Sequence, residues 1–229
     1  MGSLDSREEI LRELSKRKVI QVALDFTKVE EALPVALASI KAGVGIVEAG
    51  TPLIKSEGVK GLRILRSISE GKPILADTKT ADAGDVEALI ACEGGASIMT
   101  VLGAMDDATI SLAVSKAREL GLLVQVDLIN VPDPVSRARK VSELGADIIG
   151  LHVGLDVQRS RGINVSLMRK EIQEISSTGS LLSIAGGLNK DRISGMLDLP
   201  INIYVVGGAI TRSTDPYTSA KELVSLVSK

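Results

Sequence analysis

Tryptophan is absent from this 229-residue chain, and its whole aromatic complement is Phe26, Tyr204 and Tyr217. Stacking platforms for nucleic-acid bases are therefore nearly missing. A single cysteine, Cys92, excludes an intrachain disulfide framework and any cysteine-cluster metal site, and it fits a reducing, cytoplasmic compartment. Cys92 falls inside a helical pattern, which favours a small core residue over a nucleophile. Neither sign of charge dominates: 27 basic residues stand against 29 acidic ones, for a net charge of -2. No basic stripe marks a nucleic-acid or membrane footprint, and no apolar run reaches spanning length. The opening residues Met1-Gly2-Ser3-Leu4-Asp5 lack a basic region followed by an apolar stretch, so no secretory signal is expected.

What the chain does have is apolar residues, 45% of the total, in regular alternation. That length and content suit one large core of about the size of a single (β/α)8 barrel. Ser6-Arg7-Glu8-Glu9 has capping-box spacing, and Ile10, Leu11 and Leu14 follow at helical intervals. Residues 1–17 therefore read as a short capping helix and extension, and 18–229 as the barrel domain.

From Lys18 onward one unit repeats: a short aliphatic run, a polar residue or glycine, then a helical segment. The spacing predicts strands over 19–24, 45–47, 73–76, 97–101, 122–126, 148–151, 181–185 and 203–206. Helical patterns cover 29–42, 58–70, 85–93, 108–120, 134–144, 166–176, 191–197 and 219–227. Near-continuous apolar strands alternating with helices argue for a parallel sheet covered on both faces. Eight repeats suit closure into a TIM barrel, with an open doubly wound sheet as the alternative.

The strands end in chemistry. In order come Asp25, Glu48, Asp77 with Lys79, Thr100, Asp127, His152, Gly186-Gly187 and Gly207-Gly208. A barrel carries its site on this rim. In Asp77-Thr78-Lys79-Thr80-Ala81-Asp82, a lysine between carboxylates stays protonated and can stabilise negative charge on a substrate oxygen. The bland reading of such a cluster is a solvated loop. Glu48 and Asp77 follow adjacent strands and could share one Mg²⁺, which takes one or two protein carboxylates and completes its shell with water and substrate oxygens; helix capping or pairing with Lys79 is the alternative. His152 is the only histidine; a lone histidine is more often structural, but its place on the rim favours a general acid/base. The two Gly-Gly turns, followed by Thr211 and Arg212, suit a phosphate held by backbone N–H groups and a guanidinium. Arg159-Ser160-Arg161-Gly162 reads equally as a closing loop or as a solvated surface loop.

Several stretches, in order, resemble the 3-hexulose-6-phosphate synthase family of the orotidine 5′-monophosphate decarboxylase suprafamily. They are Ala23-Leu24-Asp25, Val47-Glu48-Ala49-Gly50-Thr51-Pro52-Leu53-Ile54, Ala76-Asp77-Thr78-Lys79-Thr80-Ala81-Asp82-Ala83-Gly84, Thr100-Val101-Leu102-Gly103-Ala104 with Asp106-Asp107-Ala108-Thr109-Ile110, and Val206-Gly207-Gly208-Ala209-Ile210-Thr211. The resemblance spans about residues 18 to 215. It implies a (β/α)8 barrel, a homodimer with sites at the interface, and a Mg²⁺-dependent, reversible aldol reaction. In it formaldehyde and D-ribulose 5-phosphate give D-arabino-3-hexulose 6-phosphate. By that pattern Glu48 and Asp77 bind the metal and Asp25 contacts substrate nearby. Lys79 stabilises the enediolate, Asp82 is donated across the interface, and His152 moves the proton. Gly186, Gly187, Gly207 and Gly208 hold the phosphate.

The chain departs from the pattern in three places. Thr78 and Ala81 replace larger aliphatics, Val153 stands where a threonine is common after the histidine, and the Arg159–Gly162 stretch is more basic. The sister family, 3-keto-L-gulonate 6-phosphate decarboxylase, resembles a pattern with an arginine three residues after the histidine. This chain has Leu155 there. Ala83-Gly84 argues against orotidine monophosphate decarboxylase itself. A silent barrel that only binds a sugar phosphate is the reading from another class, and the joint presence of Glu48, Asp77, Lys79, Asp82 and His152 speaks against it.

Overall fold

The computed structural model describes residues 7–228 and closes eight parallel strands, in chain order, into one barrel. The strands are β1 Val19–Leu24, β2 Ile46–Ala49, β3 Ile74–Thr80, β4 Ile98–Leu102, β5 Leu123–Asp127, β6 Ile148–His152, β7 Leu181–Ala185 and β8 Ile203–Val206. β1 pairs with β8 through Val19↔Ile203 and Val22↔Val206, which settles closure over the open sheet. The helices are α1 Arg7–Lys16, α2 Val29–Ala42, α3 Thr51–Ser67, α4 Gly84–Glu93, α5 Asp107–Glu119 and α6 Pro134–Glu143. They continue with α7 Leu155–Arg161, α8 Arg169–Ile175, α9 Lys190–Ser194, α10 Gly208–Thr211 and α11 Pro216–Val227.

Alternate strand residues face the axis. At its amino-terminal end Val19, Ile46, Leu75, Ile98, Leu123, Ile148 and Ile203 form one cluster, and Ile10 and Leu14 of α1 close it from below. The Arg7 guanidinium ties α1 to Asp147, whose Oδ2 accepts from the Val124 N–H at 2.9 Å. The larger core lies between the outward faces of the strands and the helices. The capping residue Ser6, like the opening stretch read for a secretory signal, falls outside the described residues.

Beyond shifts of one to three residues at other ends and the short α10, four departures from the sequence reading have a local reason. β3 runs on through Asp77, Lys79 and Thr80, because Thr100 and Thr51 supply hydrogen bonds that let polar residues continue the strand. α3 starts at Thr51, with Pro52 in the first turn, and Gly58 (φ 56°) breaks it where the sequence suggested a start. The stretch Arg159-Ser160-Arg161-Gly162, expected as a loop, is instead the end of α7, stopped by Gly162 at φ 68°. The 166–176 pattern resolves into a 3-10 turn at Val165–Leu167 followed by α8. Cys92 is a free, half-buried thiol on α4, packed against the core. Among the described residues no helix is long and apolar enough to cross a membrane.

Candidate active site

The irregularity in β3 shapes the site. Between Ala76 and Thr80 the register with β4 shifts, and Lys79 adopts φ 45°, a left-handed conformation that a side chain accepts only when its surroundings hold it there. Thr100 Oγ1 accepts from the Lys79 N–H at 2.9 Å and donates to Asp77 Oδ1 at 2.9 Å. Thr51 Oγ1 donates to Asp77 Oδ2 at 2.6 Å. The Lys79 side chain then turns back over its own strand.

Its ammonium donates to Asp77 at 3.0 and 2.8 Å and, past β4, to Asp127 Oδ2 of β5 at 3.3 Å. Burial pulls the Lys79 pKa down, but the charges of Asp77 and Asp127 outweigh it and leave the group above its ordinary value. The lysine is thus locked in its charged form. The second carboxylate beside it is Asp127, not Asp82 of the same motif. Asp82 is exposed in the turn before α4, apart from this cluster.

Asp127 also faces His152 Nδ1, at 2.9 Å from Oδ2 and 3.2 Å from Oδ1. Burial tends to raise the Asp127 pKa, yet His152 and then Lys79 hold it below the ordinary carboxylate value. An ionised Asp127 accepts a hydrogen bond from the Nδ1–H, so Nε2 is left as the nitrogen able to exchange a proton with a substrate. Sequence reading placed Asp127 on the rim but gave it no role. The signal was its place at the end of β5; its partners follow from barrel geometry.

Asp25 reaches the open mouth, yet partial burial and then Asp77 raise its pKa, Lys79 opposing. It lies so close over Gly50 that a Cβ there would come within 2.2 Å of Asp25 Oδ1. Glu48 is buried, and burial followed by the Asp77 charge pushes its pKa well above normal, partly offset by a 2.6 Å hydrogen bond from Gln21 Nε2. Among the described residues no three His, Cys, Asp or Glu side chains form a ready metal cage. Glu48 and Asp77 are nevertheless neighbouring hard-oxygen donors carrying crowded negative charge, a pair that fits Mg²⁺ with water and substrate completing the shell.

On the other side of the mouth, Gly186 and Gly187 have φ 127° and 71°, outside what side-chain-bearing residues adopt comfortably. A Cβ on Gly186 would meet the Val153 carbonyl oxygen at 2.7 Å. Gln158 of α7 lies against Gly187, and the Arg192 guanidinium caps the Gly187 carbonyl. Gly207 leads into the short α10, and the exposed Arg212 folds its guanidinium onto Gly208 at 2.1 Å from where a Cβ would sit. Arg159 and Arg161 lie on exposed α7.

The profile of the orotidine 5′-phosphate decarboxylase / HUMPS family matches residues 18–223. A 3-hexulose-6-phosphate synthase of Mycobacterium gastri is 38% identical over 204 residues, 89% of this chain and 97% of that protein. Another from Bacillus subtilis is 35% identical over 210 residues, 91% and 98% of the two chains. A solved 3-hexulose-6-phosphate synthase superposes with a TM-score of 0.86 at 37% identity, covering 91% of this chain and 99% of its own.

Proposed function

The chain belongs to the orotidine 5′-phosphate decarboxylase / HUMPS family, and from that premise we propose that it joins formaldehyde to D-ribulose 5-phosphate as a reversible aldolase. The product is D-arabino-3-hexulose 6-phosphate. The observation that carries the reading is the continuous contact Asp77–Lys79–Asp127–His152, a fixed positive charge beside a proton carrier on the barrel's carboxyl rim. A protein that only bound a sugar phosphate would have no need of either.

Glu48 and Asp77 would hold Mg²⁺, which when bound supplies a Lewis acid to polarise substrate oxygens. His152 Nε2 takes a proton from C1 of the ketose phosphate. Lys79 Nζ donates to the oxygen on which negative charge then grows. The carbanionic C1 attacks the formaldehyde carbon, the ketose carbonyl at C2 re-forms, and His152 returns its proton to the oxygen that came from formaldehyde, so no atom is lost. Asp25, beside this group, contacts the substrate's reacting end. The phosphate lies at the other side of the mouth, against Gly186, Gly187, Gly207 and Gly208 with Arg212 beside them.

The functional unit is a homodimer in the cytoplasm. Val86, Leu89 and Ile90 of α4 are exposed on one face, with Leu112 of α5 also exposed, and Asp82 lies in the turn just before the same helix. A second copy covering this face would carry Asp82 toward the neighbouring site.

The test is consumption of formaldehyde with D-ribulose 5-phosphate, with and without Mg²⁺, beside 3-keto-L-gulonate 6-phosphate. Metal-dependent formaldehyde uptake is expected. Decarboxylation instead moves the protein to the sister activity, against which Leu155 at the start of α7 argues. Lys79→Ala removes a half-buried charge placed for the reaction and lowers kcat at least about a hundredfold with the circular dichroism spectrum unchanged; full turnover in that variant refutes the role.

A further inference from the structure

The barrel interior is polar one level deeper than the reaction needs. Stepping one residue up per strand, as strand tilt requires, the registers bring Gln21 of β1, Leu75 of β3, Gln125 of β5 and Ser183 of β7 to one level. Barrel layers are ordinarily filled by bulky branched side chains. Here only Leu75 is apolar. The next level up holds Glu48, Thr100, Gly150 and Val205 by the same registers, so this layer lies directly beneath a proposed metal ligand.

Gln21, Gln125 and Ser183 are all more than nine-tenths buried. Each carries an orphan: Gln21 Oε1, Gln125 Oε1 and Ser183 Oγ have no hydrogen-bond partner. The Nε2 of Gln21 donates to Glu48 Oε2 at 2.6 Å, which turns its oxygen the other way. Orphaned buried oxygens are costly, and three on one level describe a water site, since a buried water uses two to four polar partners. Room comes from the small Ser183 and from Gly150, where a Cβ would lie 3.1 Å from Gln125 Nε2.

We propose that Gln21 is a positioning residue for Glu48, itself held from below by water shared with Gln125 and Ser183. The amide occupies Oε2 of Glu48, which would leave Oε1 free for a cation. The inference rests on the Mg²⁺ reading above. Partners of this kind typically govern metal affinity by about ten- to a hundredfold.

Titration calorimetry of the whole protein with Mg²⁺ alone tests it. Gln21→Leu is expected to weaken Mg²⁺ binding about tenfold or more, and Ser183→Ala, which removes one water ligand, by a smaller factor. Ser39→Ala is the control, because its buried hydroxyl also lacks a partner but sits on α2 outside the barrel. A high-resolution crystal structure should place a water about 3 Å from Gln21 Oε1 and from Gln125 Oε1 or Ser183 Oγ. Equal affinity in wild type and Gln21→Leu overturns the positioning role while the metal reading stands. If Gln21→Leu does not fold, unchanged affinity in Ser183→Ala overturns the role instead. A wild type that takes up no Mg²⁺ overturns both, and a dry layer overturns the water site.

Discussion

Asp127 uses both carboxylate oxygens: Oδ1 accepts from the Ile129 N–H at 2.9 Å, while Oδ2 meets His152 and Lys79. Asn at this position keeps the size but removes the charge, and its NH₂ would oppose an N–H of His152 or the ammonium. Asp127→Asn is therefore expected to lower kcat by roughly 10²–10⁴ with substrate KM less affected, measured under saturating Mg²⁺. The variant also reports on pH. Because the folded-state pKa of Asp127 is depressed, its stabilising contribution is present above the ordinary carboxylate value and is lost as pH falls through the lower folded value. Acid unfolding below about pH 4 should lose this component in Asp127→Asn, and identical acid limbs would contradict it. The identities of Lys79, His152, Glu48 and Asp77 were legible because each ends an apolar run. That Asp127 and not Asp82 completes the lysine's surroundings was not legible, since it depends on β3 and β5, separated only by β4, turning Lys79 and Asp127 toward the same side of the barrel mouth, which spacing does not describe.

At the scale of elements, the sequence speaks clearly where an apolar run or period alone sets the element and poorly where polar side chains decide the backbone. β1, β7, β8 and α2 are readable to the residue because their apolar pattern marks both ends. β3 was cut short because its last residues are polar, and only Thr51 and Thr100, distant in sequence, explain how they remain in the strand. α7 was hidden by its basic composition. α1 raises a separable question, since it closes the barrel end opposite the active site. Leu14 is 3% exposed and packs on the floor of the barrel with Ile10. Leu14→Ala should cost about 2–4 kcal/mol in denaturant unfolding by opening a cavity there, while kcat/KM at a temperature where the variant is folded stays near wild type. A loss of kcat/KM without loss of stability would mean that α1 communicates with the rim.

At the scale of the whole molecule, the single chain builds an almost complete site and leaves one motif residue outside it. Asp82 is exposed at the head of α4, whose Val86, Leu89 and Ile90 recur at helical spacing and are 52%, 43% and 39% exposed. Exposed apolar side chains grouped on one face next to a charged motif residue mark an interaction surface more than a solvated one. If two copies meet there about a twofold axis, each site takes Lys79 from one chain and Asp82 from the other. Lys79→Ala and Asp82→Asn proteins would then each be nearly inactive alone. Unfolded together and refolded as an equal mixture, about half the dimers are hybrids, and in each hybrid one site has both defects while the other has none. Activity should return to about a quarter of wild type, in proportion to the hybrid fraction seen by native mass spectrometry. If Lys79 and Asp82 acted within one chain, every site in the mixture would keep one defect and no activity would return, whatever the oligomeric state.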